Sequence, residues 1–281
     1  MRIEKISDLG PWMAFIKEVS SDPELLSPCI GTPYYFEHNL LMAVNRPGQT
    51  VLGICQDDEP AGLFVFIVSP EERNVEMKVD VCRSAAVYET MIEYMLEEYA
   101  GYQADFVFNP ANRLLKELLE RKEAEFDPVQ IKMMFSGRCP AINTDGVELL
   151  SEPYREQYFD LHRRDVYWTG EKVAESDQFR VLIGVEDRCL TAYLDVTCKM
   201  GENEIYNMQV KDPDRESEWG RKLLAKALEM NQPNGMMVLA DAENTGEVAL
   251  YESVGFEKVP GQNFVTATWI LPPEKEEHDG D

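Results

Sequence analysis

The chain has 281 residues, and its 27 basic side chains stand against 52 acidic ones, a net charge of −25 at pH 7. With 44% hydrophobic and 10% aromatic residues it is globular rather than disordered. At roughly 150 residues per domain, the length suits two domains with a core each. A field this negative, with no Lys/Arg stripe to reverse it locally, argues against nucleic acid and favours cationic partners, although it also serves solubility alone.

Cys29, Cys55, Cys82, Cys139, Cys189 and Cys198 form no C-x-x-C pair, and the histidines are His38, His162 and His278. No zinc-site spacing can be built from them, so no metal is expected. Residues 1–12 lack the apolar core of a signal peptide, and no apolar run reaches the roughly eighteen residues of a membrane span. A cytoplasmic protein with reduced thiols and no membrane partner is expected.

In chain order, a strand at 2–6 precedes helices near 12–19 and 34–44 and strands at 50–56, 62–68 and 75–81. A helix with Val87, Met91, Tyr94 and Met95 on one face follows, then a strand at 104–108, a helix at 113–121 and a strand at 130–135. Gly, Pro, Asn and Asp cluster at 136–146, which marks a domain boundary. The second half repeats the order. A short strand at 147–150 leads to helical stretches at 154–164 and 170–175, with His162 expected on the surface of the first. Strands at 179–186, 189–199 and 204–210 are separated by turn residues. A helix at 219–230 carries Leu223, Leu224, Ala227 and Leu228 on one face, followed by a strand at 236–240, a helix at 245–254 and a final hairpin at 256–271. The last residues, 272–281, are Pro-led and nearly all charged, an acidic tail that buries nothing.

Two segments carry chemistry. The first is NTGEVALYESVGFEKV, residues 244–259, in which Asn244 can cap a helix and Gly255 can take the positive φ that ends it. Read blandly, this is an amphipathic helix with Tyr251 as packing. The second is EIYNMQVKDPDRESEWGRKLL, residues 204–224, a strand-to-helix junction flanked by Arg215, Arg221 and Lys222. Amides at the start of the following helix have no intrahelical partner, and the helix dipole adds positive character, so a phosphate can dock there. Taken alone, this junction also reads as a plain surface loop.

Together the two segments resemble the GNAT superfamily of acetyl-CoA-dependent N-acetyltransferases. That family has a strand ending in a V-x-P-x-x-R-G-x-G-x-G/A-like stretch, then a helix, a strand and an N-x-x-A-x-x-x-Y-x-x-x-G-F-like helix. Val210 to Gly220, with Arg221 after it, stands at the first pattern, and Asn244, Ala249, Leu250, Tyr251, Gly255 and Phe256 at the second. The resemblance implies an α/β (mixed α+β) fold of two GNAT-like domains, 1–137 and 146–271, each a mixed, mainly antiparallel sheet flanked by helices. It implies that acetyl-CoA is held by Met208, Val210, Arg215, Ser217, Trp219, Gly220, Arg221 and Asn244. Glu216 and Glu218 replace both early glycines of the phosphate loop. Carboxylates there weaken anion binding unless they face solvent or pair with Arg215 or Lys222.

Amide formation needs an amine that has lost a proton and a donor for the departing thiolate. The resemblance implies Tyr251 as the general acid and Glu204 as the acceptor of the amine's proton, although Glu204 also reads as a solvated strand edge. It places Tyr167 and Trp168 in a loop lining the acceptor site, where their rings could meet a cation. A hydrophobic lid or interdomain anchor is the other reading. The first half has no glycine at 79–86 and no tyrosine or Gly-Phe ending at 112–119, so it reads as a degenerate GNAT domain, with an unrelated α/β domain left open. Two functions follow. One is an N-acetyltransferase moving an acetyl group from acetyl-CoA to a primary amine of a small, cationic molecule. The other is a catalytically impaired GNAT-fold protein that binds CoA, another ligand or a protein partner.

Overall fold

The structure, a computed structural model, describes residues 1–162 and 168–273. The chain divides into two compact units, Met1–Gln130 with the segment from Pro260 onward (unit 1), and Ile131–Val259 (unit 2).

Unit 1 opens with β1 (Arg2–Lys5), α1 (Met13–Val19) and α2 (Pro33–Phe36), then runs through β2 (Gln49–Gln56), β3 (Glu59–Ser69), β4 (Asn74–Cys82), α3 (Ala85–Glu98), β5 (Gln103–Phe108), α4 (Arg113–Arg121) and the two-residue β6 (Glu125–Phe126). β7 (Gln130–Phe135) leads into unit 2, made of β8 (Val147–Leu149), α5 (Arg155–Leu161), α6 (Gly170–Glu175), β9 (Phe179–Glu186), β10 (Cys189–Thr197), β11 (Glu202–Val210), α7 (Glu216–Asn231), β12 (Gly235–Asp241), α8 (Thr245–Ser253) and β13 (Phe256–Lys258). β14 (Val265–Ile270) returns to unit 1. No described helix is long and apolar enough to cross a membrane.

The seven-stranded sheets have equivalent orders, β1-β2-β3-β4-β5-β14-β6 and β8-β9-β10-β11-β12-β7-β13. The expected repeat is therefore present, down to the turns. Each β-hairpin at the start of the meander, β2–β3 and β9–β10, turns through two consecutive residues at positive φ: Asp57 and Asp58, and Asp187 and Arg188. This is the geometry that matches the twist of paired strands.

Two strands lie elsewhere than the sequence suggests. The strand expected to close the first half, β7, sits between β13 and β12, while β14 sits between β5 and β6. The expected terminal hairpin is thus absent, since β13 pairs with β7 and β14 pairs with β5. The division by contacts accordingly falls at Gln130 and Val259 instead of in the 136–146 linker. A short apolar run reports that a strand is buried, not which sheet buries it.

Each sheet carries a core on both faces. In unit 1, α3 and α4 cover one face with Met91, Met95, Leu115 and Leu119, while α1 covers the other with Phe15, Ile16 and Val19. In unit 2, α7 and α8 cover one face with Leu223, Leu224, Leu250 and Tyr251, and α5 and α6 the other with Tyr158 and Val173. Glycine makes one contact possible: a Cβ on Gly184 of β9 would lie 2.6 Å from the Trp219 ring, so only a bare backbone lets that indole bury against the sheet.

Both units share a fault in the middle of the sheet. β4 pairs with β5 in parallel only from Asn74 to Met77, and β11 with β12 only from Glu202 to Ile205. Beyond those points the strands continue without a shared ladder. In unit 1 this opening is filled by the chain itself. The turn Pro28–Ile30 packs against β4 and β5, and Asn109 Nδ2 donates to the carbonyls of Pro23 (2.9 Å) and Leu26 (3.2 Å). Buried Asp80 on β4 accepts from Tyr88 Oη (2.8 Å) and Asn112 Nδ2 (3.0 Å), and Asn112 also caps α4 through the Leu115 N–H.

Burial, only partly offset by these donors, raises the Asp80 carboxyl from 3.8 to about 6. A raised carboxyl favours the protonated form in the folded state, so its contribution to stability is lost as pH rises through that window. Denaturant titrations of the wild type between about pH 4 and about pH 6 should show this decline, and Asp80→Asn should flatten it relative to wild type. Parallel pH profiles for the two proteins would contradict the assignment.

Candidate active site

The β11–β12 opening in unit 2 is a cavity of about 810 Å³. Its cause is local. Asp195 of β10 pairs with Asn207 and Val196 with Ile205, so Tyr206 is an extra residue, a β-bulge that bends β11 away from its parallel neighbour. Residues Ile205–Gln209 of β11 form one wall, and Asn244, Glu247 and Tyr251 of the α8 segment form another. Ser217 and Arg221 line the end where α7 begins.

That end suits an anion. α8 is capped by Asn244 Oδ1 accepting from the Glu247 N–H at 3.1 Å, whereas α7 begins without a side-chain cap and its first N–H, that of Glu216, donates to the Pro213 carbonyl, with the helix dipole still favouring an anion at this end. The Arg221 Nε is buried and has no hydrogen-bond partner among the described residues. Gly220 lets the helices close up, since a Cβ there would lie 2.8 Å from Leu250 Cδ2. Gly255 has φ of 99°, and a Cβ there would lie 2.2 Å from the Arg138 carbonyl, which explains the glycine at the end of α8.

The structure brings Met208, Ser217, Arg221, Asn244 and Tyr251 together around the cavity. It places Val210, Arg215, Trp219, Gly220 and Glu204 outside the lining. Trp219 is buried in the α7 core with Arg215 and Lys222 over its ring. Arg215 bonds Glu186 and Glu218, and Lys222 reaches Glu218 at 3.0 Å. The exposed Glu218 carboxylate is thus paired with both cations, which hold its pKa below the ordinary value, Lys222 first. Glu216 has an exposed side chain at the cavity edge. Glu204 lies in the still-paired part of β11, its N–H donating to Thr197 Oγ1 at 2.7 Å. Tyr167 lies outside the described residues. Trp168 packs on Phe179 at 5.1 Å, and Phe179 meets the cavity residue Tyr206 at 5.6 Å, so an aromatic chain leads from the expected acceptor loop to the bulge.

Two features are added to the sequence-based expectations by the structure. Counted from Asn244, the alanine of the GNAT pattern falls on Glu247, not Ala249. Glu247 Oε1 accepts from Tyr251 Oη at 3.1 Å. Burial raises both groups from their ordinary values, and the neighbouring Glu247 carboxylate raises Tyr251 further. The second feature is a correction: His162 is not a surface residue. Its side chain is 1% exposed, and Nε2 lies 2.9 Å from Asp195 Oδ2. Its ring stacks on Tyr193 with centroids 5.1 Å apart. Tyr158 Oη donates to the other Asp195 oxygen at 2.8 Å, and Asn207 of the cavity wall donates to Tyr193 Oη at 3.0 Å. Tyr158 and His162 lie one helical turn apart and face β10, but Asp195 is remote in sequence, so spacing alone does not reveal the cluster.

Solved structures share this architecture. A tandem GNAT protein from the clavulanic acid biosynthesis pathway superposes with a TM-score of 0.59 at 12% identity, matching 98% of this chain and 100% of that one. The fold is that of a tandem GNAT protein. A GCN5-related N-acetyltransferase from Sphaerobacter thermophilus aligns with a TM-score of 0.64 at 12% identity over 96% of both chains. A GNAT-family acetyltransferase from Colwellia psychrerythraea aligns at 0.54 and 10% identity, over 95% of this chain and 99% of that one. No family model and no curated protein matches the sequence. The GNAT-fold assignment thus rests on three-dimensional structure.

The buried cluster beside the bulge is structural support for the cavity wall. Tyr158→Phe removes a donor to a buried carboxylate and should destabilise the protein by about 1–3 kcal/mol in urea denaturation. An unchanged midpoint would mean that Asp195 is satisfied without it.

Proposed function

We propose that unit 2 is a cytoplasmic N-acetyltransferase that moves an acetyl group from acetyl-CoA to a primary amine of a small, cationic molecule. The observation that carries this reading is the cavity, which combines an uncapped helix start and the partnerless Arg221 Nε at one end with Tyr251 in its wall. These residues fit the cosubstrate: the α7 amides, Ser217 and Arg221 suit its phosphates, and the unpaired edge of β11 offers backbone groups to its amide-bearing arm. Acetyl-CoA supplies an activated acyl thioester.

The protein's part is positioning and proton transfer. The bulge presents the β11 backbone to the cavity, where a fixed N–H can support charge developing on the acyl oxygen. Tyr251 is protonated at neutral pH, as an ordinary phenol is, and burial lifts its pKa further, so it is in the state a proton donor needs. Tyr206, backed by Phe179 and Trp168, supplies an aromatic face for the amine. The chain's charge of −25 favours a cationic acceptor. In unit 1 the corresponding opening is filled by its own polypeptide, which supports a structural role for that unit.

A second reading, a GNAT-fold binding protein without catalysis, is favoured by one observation: Asp214, Glu216 and Glu247 line the same cavity as Arg221. Calorimetry with acetyl-CoA and a thiol-release assay on polyamines, aminoglycosides and amino-acid amines separate the two. The enzyme should bind at one site and release thiol with at least one amine. Arg221→Ala should weaken binding about tenfold, and Tyr251→Phe should lower kcat by ~10–10³ with little change in affinity. Binding with no turnover across the panel supports the second reading with CoA as its ligand, and no binding contradicts the enzyme and supports the second reading with another ligand or a protein partner.

A further inference from the structure

Glu247 is unlike the other carboxylates of the cavity lining, because Asp214 and Glu216 are exposed while Glu247 is half-buried. It is engaged on both oxygens, accepting from Tyr251 Oη at 3.1 Å and from Asn244 Nδ2 at 3.3 Å. Burial raises its carboxyl pKa most, the hydrogen bond from Tyr251 and one from the Asp241 backbone lower it in part, and the charges of Asp241 at the end of β12 and Glu216 at the start of α7 raise it again. Asp214 and Arg221 line the same cavity. In this arrangement the phenol proton points at Glu247 and is held away from any sulfur in the cavity. A carboxylate in that place also makes the phenol a weaker acid.

We propose that Glu247 is a positioning residue that takes up a proton as the thioester cosubstrate binds, and so turns the Tyr251 hydroxyl from its own carboxylate toward the sulfur. The proposal rests on the acyl-transfer reading. The phosphates of the cosubstrate bring negative charge into a cavity that already holds carboxylates, and the most buried of these is the one that ionises least readily. Once protonated, Glu247 donates its O–H to the Tyr251 oxygen, leaving the phenol proton free for another acceptor. When the amine nitrogen bonds to the acyl carbon and the C–S bond breaks, the electron pair goes to sulfur and the phenol proton follows it. The carboxyl proton of Glu247 then refills Tyr251. The amine releases its own proton to solvent, and Glu247 takes one back from solvent with the next cosubstrate. Amine and thioester thus give amide and thiol with every proton accounted for. Because binding raises a carboxyl that is already raised, proton uptake falls between its free and bound values, and affinity declines as pH rises through that window.

The test needs no acceptor. Acetyl-CoA is titrated calorimetrically into the full chain in two buffers of different ionisation enthalpy, from about pH 5 to about pH 8, which spans the titration of a raised carboxyl. Wild type should take up as much as about one proton per molecule bound, and Glu247→Gln should lose that uptake together with the pH dependence of its affinity. The difference between the two proteins separates the carboxyl from the titrating phosphate monoester of the cosubstrate. Glu247→Ala, the residue of the GNAT pattern, should behave like Glu247→Gln and serves if that variant does not fold. Equal uptake in wild type and variants, or none in any, overturns the role of Glu247 while leaving the donor site standing. Absence of binding by wild type at every pH overturns the acyl-transfer reading and this inference with it.

Discussion

At Tyr206 the β11 backbone acquires one residue more than its antiparallel neighbour can pair, and the parallel ladder to β12 ends at Ile205. Backbone groups cannot stay unpaired inside a protein without cost, so a break in the middle of a sheet must be filled by something: chain, water or ligand. Much of unit 2 follows from that constraint. The β11 edge becomes a cavity wall, α7 starts at its mouth without a side-chain cap, and α8 brings Tyr251 to the opposite side.

Unit 1 has the same break and resolves it differently. Lys78 is the extra residue between the pairs Val65–Val79 and Phe66–Met77, and β4 leaves β5 after Met77. The turn Pro28–Ile30, Asn109 and the Asp80–Tyr88–Asn112 cluster occupy the space. Asn112 and Asn244 are equivalent caps on equivalent helices, yet Asn112 spends its amide on a buried carboxylate whereas Asn244 lines a cavity. One architecture thus yields a filled sheet in one unit and an open one in the other.

Much of this was legible in the sequence because local chemistry encodes it. Asn244 and Gly255 mark the ends of α8 through the cap oxygen and the positive φ that only glycine adopts easily there. The repeated order of elements and the GNAT-like fold could also be read from the strand and helix patterns. What could not be read is nonlocal. The sheet that receives β7 or β14 depends on partners more than a hundred residues away, as in the pairing of Val265 with Phe108. His162 looks like a helix-surface residue until Asp195 meets it across 33 positions. Arg215 and Trp219 lie where the pattern suggests cofactor contacts, but Trp219 finds a deeper partner over Gly184 and Arg215 finds Glu186 and Glu218. Glu247 was visible by counting from Asn244, but its bond to Tyr251 matters only because α8 places both beside the cavity.

We propose the break in the unit 2 sheet as the acyl-donor site. The most direct measurement is a crystal structure of the full chain grown with acetyl-CoA. The diphosphate is expected at the start of α7 beside Arg221, with the pantetheine arm between β11 and β12 and its sulfur within reach of Tyr251. Density for the cosubstrate between β4 and β5 of unit 1, or an unaltered cavity in unit 2 at saturating acetyl-CoA, would contradict it.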